Sequence, residues 1–432
     1  MSKRVYHGWY VAGAASGIEF ANAATAIAIL TIFIIPMTDE FGWTRTQISV
    51  ATSLGAVLGA TLAPFTGRLV DRIGARPPLV LGGVLVALAC MYLASVQTLL
   101  GFYVAYTITR TADQGLIKIG ASPAVGKWFG RHRGRAIALV FFGGSAGIVL
   151  LAPVVQLVIG IWGWRAAWRL LGALMFFLGV IPCLALIRRP PQEQGVDQGI
   201  GQGIDQELEP RSTPNGDLPQ RTPAGESHSQ GNILSLGEIA RGKGFWLVLL
   251  SLFLASTSTA GITLHLVPYL TGLGLGPENA VGVISLMSAS SGAGIVAVGF
   301  LAERVSPRLL MASLYLVMAA GILVLLTAAS PSQAYLFGVL HGVASGGSNT
   351  LAPILWAKYY GRDVLGSLHG ISRACQVAGF ALGPLVMGVV YDSTGGYQPA
   401  LIFAAVAAVS AFFSVMLSRL AQTGDAYSDL RA

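Results

Sequence analysis

Charge is scarce in this chain: only 11% of its 432 residues are Asp, Glu, Lys or Arg, while 54% are hydrophobic. A soluble protein of that length needs far more polar surface, so composition places the chain in the membrane class. Cysteine is scarcer still. Cys90, Cys183 and Cys375 each sit inside an apolar run, which leaves neither a disulfide framework nor metal-ligand spacing. No lysine precedes Ser or Thr, so a Walker lysine is missing, and with it the mark of ATP-driven work. His265 and His341 lack acidic or cysteine partners at ligand spacing, so neither a metal nor a cofactor is expected. The formal net charge of +8 could suggest nucleic acid, but the basic residues lie between apolar runs. Such placement points to membrane orientation instead.

What the chain does have is apolar runs long enough for helices that cross a bilayer, which take about 20 residues each. Twelve are expected, near 8–36, 47–67, 78–96, 98–127, 135–159, 166–187, 245–271, 279–301, 309–329, 333–357, 365–391 and 398–418. Their length excludes a barrel of short alternating strands. The first run reaches Pro36, too long for a cleaved signal peptide, and reads as a span. The expected organisation is a six-helix bundle over 1–187, a linker over 188–243, a second six-helix bundle over 244–420 and a tail over 421–432. The linker, rich in Gln, Gly, Pro and acids, is expected to be disordered. "TRTQ" at 44–47 and "SLGE" at 235–238 fit capping boxes. With the N-terminus inside, the outer loops keep only Arg45 and Arg165, while the inner ones hold Lys127, Arg131, Arg133, Arg135, Lys358, Arg362 and others. That bias puts both termini and the linker in the cytoplasm.

The few charges fall in a pattern. "GRLVDRIGAR" at 67–76 returns as "GFLAERVSPR" at 299–308, so that Gly67, Asp71, Arg72 and Arg76 map onto Gly299, Glu303, Arg304 and Arg308 at an offset of 232. "KWFGR" at 127–131 returns as "KYYGR" at 358–362, and Pro153 as Pro384, both offset by 231. Two six-helix halves of parallel topology follow, the plan of a two-domain secondary transporter. Spans 3, 6, 9 and 12 are apolar enough to face lipid. Spans 1, 4, 7 and 10 carry Glu19 and Asn22; Arg110, Asp113 and Lys118; His265; and His341 with Asn349. Ionisable groups at membrane depth are costly and face an interior or a wet cavity, so these four spans should line a central path. Spans 2, 5, 8 and 11 hold small-residue contacts such as Gly55–Gly59, Gly143–Gly147 and Gly379–Gly383, which let backbones approach closely or slide.

On these motifs the chain resembles the major facilitator superfamily: "GRLVDRIGAR" matches that family's loop between helices 2 and 3, and "GFLAERVSPR" its degenerate copy between helices 8 and 9. "EFGWTRTQIS", "KWFGRHRGRAIA" and "HLVPYLTGLGL" look like its branch of monocarboxylate transporters and oxalate/formate antiporters, although nothing ionisable lies between Glu278 and Glu303, where that branch usually carries charge. The resemblance implies a gate. Gly67 and Gly299 would allow tight helix contact at the cytoplasmic rim. Asp71 would face the start of helix 11 near Gly366, and Glu303 the start of helix 5, where a helix N-terminus favours an anion. Arg72, Arg76, Arg304 and Arg308 belong to the same loops, unless they only anchor topology.

Lys118, Arg373 and Glu19 fall at one depth, roughly 14–17 Å from the inner rim at 1.5 Å per residue. Three groups from three helices, net positive, make an anion site with its own carboxylate. Arg110 and Asp113, three apart, either join it or form a pair that solves its own burial. Asn22, Asn349, His265 and His341 complete the expected substrate-binding set, the histidines as hydrogen-bonders or proton carriers. Glu19 is the expected proton-coupling group, with Asp113 next; a structural Glu19–Lys118 pair is the alternative. The expected function is alternating-access transport of a small organic anion, a monocarboxylate, by proton symport or anion exchange. A proton-coupled efflux antiporter for amphipathic compounds is the second reading. "GGSAG" at 143–147 leaves a remote third, an intramembrane hydrolase using Ser145 with His265 or His341, although that motif belongs on a strand–turn–helix. A monomer in the bacterial inner membrane is expected, its partners being the anion, protons and lipid.

Overall fold

The computed structural model describes residues 6–126, 128, 133–188, 236–302, 304–360 and 365–418. These form twelve helical rods with no strand among the described residues. In the first half, α1 is split into His7–Asn22 and Ile27–Phe41 by a 3-10 turn, Ala23–Thr25. Then come α2 (Arg45–Ile73) and α3 (Arg76–Leu93). The fourth rod, α4, runs as Leu99–Ala112, a π turn Asp113–Ile117, and Lys118–Gly126. α5 is Arg133–Trp162, and α6 is Trp164–Leu174, a π turn Met175–Val180, and Ile181–Leu186. After a short helix, Leu236–Arg241, the second half holds α7 (Lys243–Gly272), α8 (Pro277–Leu301), α9 (Pro307–Leu326), α10 (Pro331–Tyr360), α11 (Leu365–Thr394) and α12 (Gln398–Leu417). Ten rods are long and apolar enough to cross a membrane. The other two, α4 and α10, have similar length but carry Arg110, Asp113 and Lys118, and His341 with the polar run 345–350.

Local signals set the turns. Thr44 caps α2 by accepting from the Gln47 N–H at 3.2 Å, and the Gln47 side chain accepts from the Thr44 N–H at 2.9 Å, the reciprocal box expected from "TRTQ". Gly42, at φ 68°, ends α1 in the left-handed conformation that glycine adopts freely. The box expected at 235–238 has its Ser235 outside the described residues.

Each half is held together by glycine contacts. A Cβ at Gly143 or Gly147 of α5 would collide with the Ser16 or Phe20 carbonyl of α1; at Gly379 or Gly383 of α11 it would meet the Phe253 or Thr257 carbonyl of α7. Gly55 and Gly59 of α2 lie against Arg110 and Gln114 of α4, while Gly342 and Gly346 of α10 lie against Met287 and Ser291 of α8. The two halves thus repeat one packing plan. Arg76 donates to the Leu184 carbonyl at the end of α6, and Arg308 to the Val415 and Met416 carbonyls at the end of α12. These matched arginines close helix ends within their own halves. Neither reaches across to the other half in this state.

The halves meet along α2 and α11, α5 and α8, and α7 with the second part of α1. Call the end bearing both termini the terminal end and the opposite one the distal end. Among the described residues, inter-half hydrogen bonds cluster towards the distal end. The Asp392 carboxylate accepts from the Arg45 N–H at 3.2 Å and the Thr46 N–H at 2.9 Å. Ser53 donates to the Ala381 carbonyl, and the Val267 N–H to Thr31 Oγ1 at 3.2 Å. The α2–α11 contact continues through Ala56, Ala60 and Val377. Beyond it, a Cβ at Gly67, Gly299 or Gly370 would meet nothing within 4 Å. The expected tight contact at Gly67 and Gly299 is therefore not made among the described residues. Arg72 and Arg304 are exposed. Glu303, the Asp71 side chain and the 189–235 stretch, which holds most of the expected linker, lie outside what is described, as does the tail.

Candidate functional site

The site begins with a broken helix. The 3-10 turn at Ala23–Thr25 releases backbone groups of α1 that an unbroken helix would satisfy. The Thr25 carbonyl finds partners in α4: it accepts from Arg110 Nη1 at 3.1 Å and from the Tyr106 hydroxyl at 3.3 Å. Arg110 also donates to Asp113 Oδ2 at 2.9 Å, and its side chain is only 7% exposed. Its Nη1 thus ties α1 to α4, while its Nε is buried with no partner among the described residues.

The π turn that follows widens α4 by one residue, a feature frequent at functional sites. Asp113 is its first residue and is crowded by donors. Asn22 Nδ2 lies 2.7 Å from Oδ1, Gln114 Nε2 lies 2.7 Å from Oδ2, and Lys118 Nζ lies 3.7 Å from Oδ1. Asn22 therefore orients an acid rather than facing a ligand. Lys118 is different: 43% of its side chain remains exposed. It pairs with Asp113 and makes no ion pair with Glu19, so the alternative Glu19–Lys118 bridge is not formed.

From the opposite half, Arg373 of α11 reaches the same place. Its Nη2 donates to Gln114 Oε1 at 3.2 Å, and its Nη1 lies 3.4 Å from Gln376 Oε1. Gln376 Nε2 in turn lies 3.3 Å from Asn349 Oδ1 of α10. A continuous line of polar groups thus runs from Arg110 through Asp113, Gln114, Arg373 and Gln376 to Asn349. Arg373 forms no ion pair among the described residues, whereas Arg110 and Lys118 share Asp113. Beside Gln376 and Asn349 lies a small cleft of about 10 Å³, lined also by Ser256, Thr259, Tyr315 and Ser348.

Glu19 sits on α1 against Gly144 of α5, where a Cβ would lie 3.6 Å from Oε2. It is half-buried, makes no hydrogen bond or ion pair among the described residues, and feels the charges of Lys118 and Asp113. The structure therefore brings together Glu19, Lys118, Asp113, Asn22, Arg373 and Asn349.

Two expected members stand apart. His265 lies in the distal seam, its ring nitrogens 3.1 Å from the Tyr397 hydroxyl, 3.1 Å from the Pro384 carbonyl and 3.3 Å from Ser49 Oγ. His341 is fully buried within the second half against Phe337 and has no described partner for either nitrogen. Neither joins the cluster, and neither bonds to Ser145. Gln114, which links the halves through Arg373, and Gln376, which joins Arg373 to Asn349 within the second half, are the residues that sequence reasoning missed. Neutral amides do not stand out against an apolar helix as charges do, and only the adjacency of Gln114 to Asp113 could have marked it.

A family model described as Major Facilitator Superfamily matches residues 16–334 and 283–427. Monocarboxylate transporter 11 of Mus musculus is 25% identical over 427 residues, covering 95% of this chain and 87% of that protein. The oxalate:formate antiporter of Oxalobacter formigenes is 28% identical over 165 residues, 38% of this chain and 39% of that protein. Among solved structures, a point mutant of the nucleoside transporter NupG superposes with a TM-score of 0.74 at 14% identity, covering 95% of this chain and 100% of that one. A bacterial homologue of the human lysosomal transporter Spinster, inward-facing and unoccupied, superposes with a TM-score of 0.68 at 16% identity, covering 97% of this chain and 95% of that one.

Proposed function

The chain belongs to the Major Facilitator Superfamily, and from that premise we propose that it carries a small organic anion, a monocarboxylate, by proton symport or anion exchange. It is a multi-pass secondary transporter and not an enzyme. The observation that carries the anion reading is Arg373: a guanidinium at the meeting point of the halves, held by two neutral amide oxygens and by no acid among the described residues. An arginine at the centre of a membrane helix costs about 2.5–3.5 kcal/mol on insertion scales, so a counter-charge is wanted there. A carboxylate satisfies it with two parallel charge-assisted bonds. Lys118, partly exposed on the facing half, supplies a second cation. The names of the relatives, a monocarboxylate transporter and an oxalate:formate antiporter, support the same class of cargo.

The terminal end is cytoplasmic in this reading, since basic residues crowd its loops. The halves rock about the Arg373 level, with the distal seam closed in the state described. Glu19, without a partner among the described residues and within reach of the Lys118 charge, takes the proton. Arrival of an anion at Arg373 and Lys118 weakens their hold on the Glu19 charge, so anion and proton assist each other, as symport requires. Uptake of radiolabelled formate, acetate, pyruvate and oxalate by proteoliposomes, with and without an imposed pH gradient, tests the reading. Saturable uptake of at least one acid is expected. Transport of amphipathic cations with none of the acids would overturn it in favour of efflux.

A further inference from the structure

The hydrogen bond between Gln114 and Arg373 joins the halves at the level of the charged cluster; every other described inter-half hydrogen bond lies nearer the distal end. Gln114 uses both ends of its amide. Its oxygen accepts from Arg373 at 3.2 Å, and its nitrogen donates to Asp113 at 2.7 Å. The backbone is shaped to allow this. A Cβ on Gly59 would fall 2.6 Å from the Gln114 Cβ, so only glycine lets α2 pass while the first residues of the π turn face Arg373. The guanidinium is thereby occupied, though by an acceptor that carries no charge.

We propose that Gln114 is a built-in stand-in for the substrate carboxylate. It holds Arg373 in the empty protein, is displaced when the anion arrives, and on leaving frees the bond it makes to Asp113. The inference rests on the anion reading above and adds to it a residue that sets affinity. A carboxylate wins the exchange because charge-assisted bonds to a guanidinium are roughly twice as strong as neutral ones and can be bidentate. The self-occupied site lowers the apparent affinity by the fraction of time that Arg373 is free. Displacement also changes what joins the halves. Before it, the link runs from Asp113 through Gln114 to Arg373; after it, the substrate bridges Arg373 to Lys118. Gln114 is therefore a positioning residue that competes for the ligand's place.

The test uses full-length protein in detergent, with binding of formate, acetate, pyruvate and oxalate followed by thermal shift. Gln114→Ala removes the competitor and should tighten binding of the acid that wild type prefers by about tenfold, whereas a structural or ligand-contacting role predicts weakening. Gln114→Glu ties a carboxylate to Arg373 and should weaken that binding by about tenfold or more. Because the change also removes the bond that Gln114 gives Asp113, the ligand-free readout is the coupling: adding Arg373→Gln should lower the melting temperature of Gln114→Glu more than it lowers that of wild type. Weaker binding in Gln114→Ala, or unchanged binding in Gln114→Glu, overturns the stand-in role while leaving the anion reading in place. If no acid shifts wild type or either variant, the anion reading fails and this inference fails with it. The coupling between Gln114→Glu and Arg373→Gln shows which has failed, since it needs no added ligand.

Discussion

The distal and terminal ends of this molecule are built on the same repeat yet behave differently. At the distal end, α2 and α11 touch: Asp392 caps the start of α2 from the other half, the Arg45 guanidinium lies 5.6 Å above the Tyr391 ring, and Gly388 lies against the Thr46 backbone. At the terminal end the same two helices have parted, and Gly67 and Gly370 face open space. An acid from one half set on a helix N-terminus of the other is the device expected at the terminal loops, Asp71 on α11. Here it is observed at the opposite end, with Asp392 on α2. A carboxylate at a helix start is favourable but modest, about 0.3–1 kcal/mol when exposed, so it can hold a gate and still let go. One end latched and the other without inter-half bonds among the described residues is the form an alternating-access carrier takes when it opens on one side.

The largest effect should come from the pivot between the two ends. Arg373→Gln removes the unpaired cation and should weaken carboxylate binding thirtyfold or more, the cost of about 2–5 kcal/mol typical of truncating one partner of a buried charged pair. Membrane insertion should persist, checked by expression and monodispersity; retained affinity would move the site elsewhere. Next comes coupling. Glu19→Gln should abolish accumulation driven by a pH gradient yet spare counterflow, because exchange of loaded carrier needs no net proton movement. If the variant still concentrates substrate under a pH gradient alone, Asp113 becomes the group to test.

The latch should give a smaller change. Asp392→Asn keeps the side chain's shape but drops its charge, and should shift the balance away from distal closure by up to about 1 kcal/mol, roughly fivefold. Accessibility of a cysteine placed at exposed Asp39 reads that shift. The glycines sharpen the comparison further. Gly388→Ala puts a Cβ 3.0 Å from the Thr46 backbone and should pry the distal seam apart. Gly67→Ala meets nothing here and should even stabilise this state by about 0.5–1 kcal/mol through helix propensity, while slowing turnover if α2 must close at that point. Thermal shift and transport rate measured on both variants separate the two outcomes.

The sequence made much of this legible, for stated reasons. The offset of 231 to 232 residues announced two matched halves, and Arg76 and Arg308 indeed perform the same task at the ends of α6 and α12. "TRTQ" announced a helix start. The three glycine pairs announced close packing, although within halves rather than between them. The break in α1 and the π turn in α4 left no comparable signal, since each depends on partners from another helix: the Thr25 carbonyl on Arg110, and Gln114 on a gap at Gly59. His265 was placed by its helix face, and a face does not tell how deep along the helix the halves meet. It lies in the seam. Asp392 carries no mark in the sequence, because its partner, the start of α2, is 346 residues away.

The measurement closest to the centre of this account is the distance between spin labels at Gly67→Cys and Gly370→Cys, in a background with Cys90, Cys183 and Cys375 replaced, reconstituted in lipid. Both positions have room for a label, and both lie where α2 and α11 part. Without ligand the pair should be far apart. On adding a carboxylate that the protein transports, a shorter population should appear while a second pair, at exposed Asp39 and Ser393, lengthens. The response should vanish in Arg373→Gln. Uptake that proceeds with both distances unchanged would contradict the account.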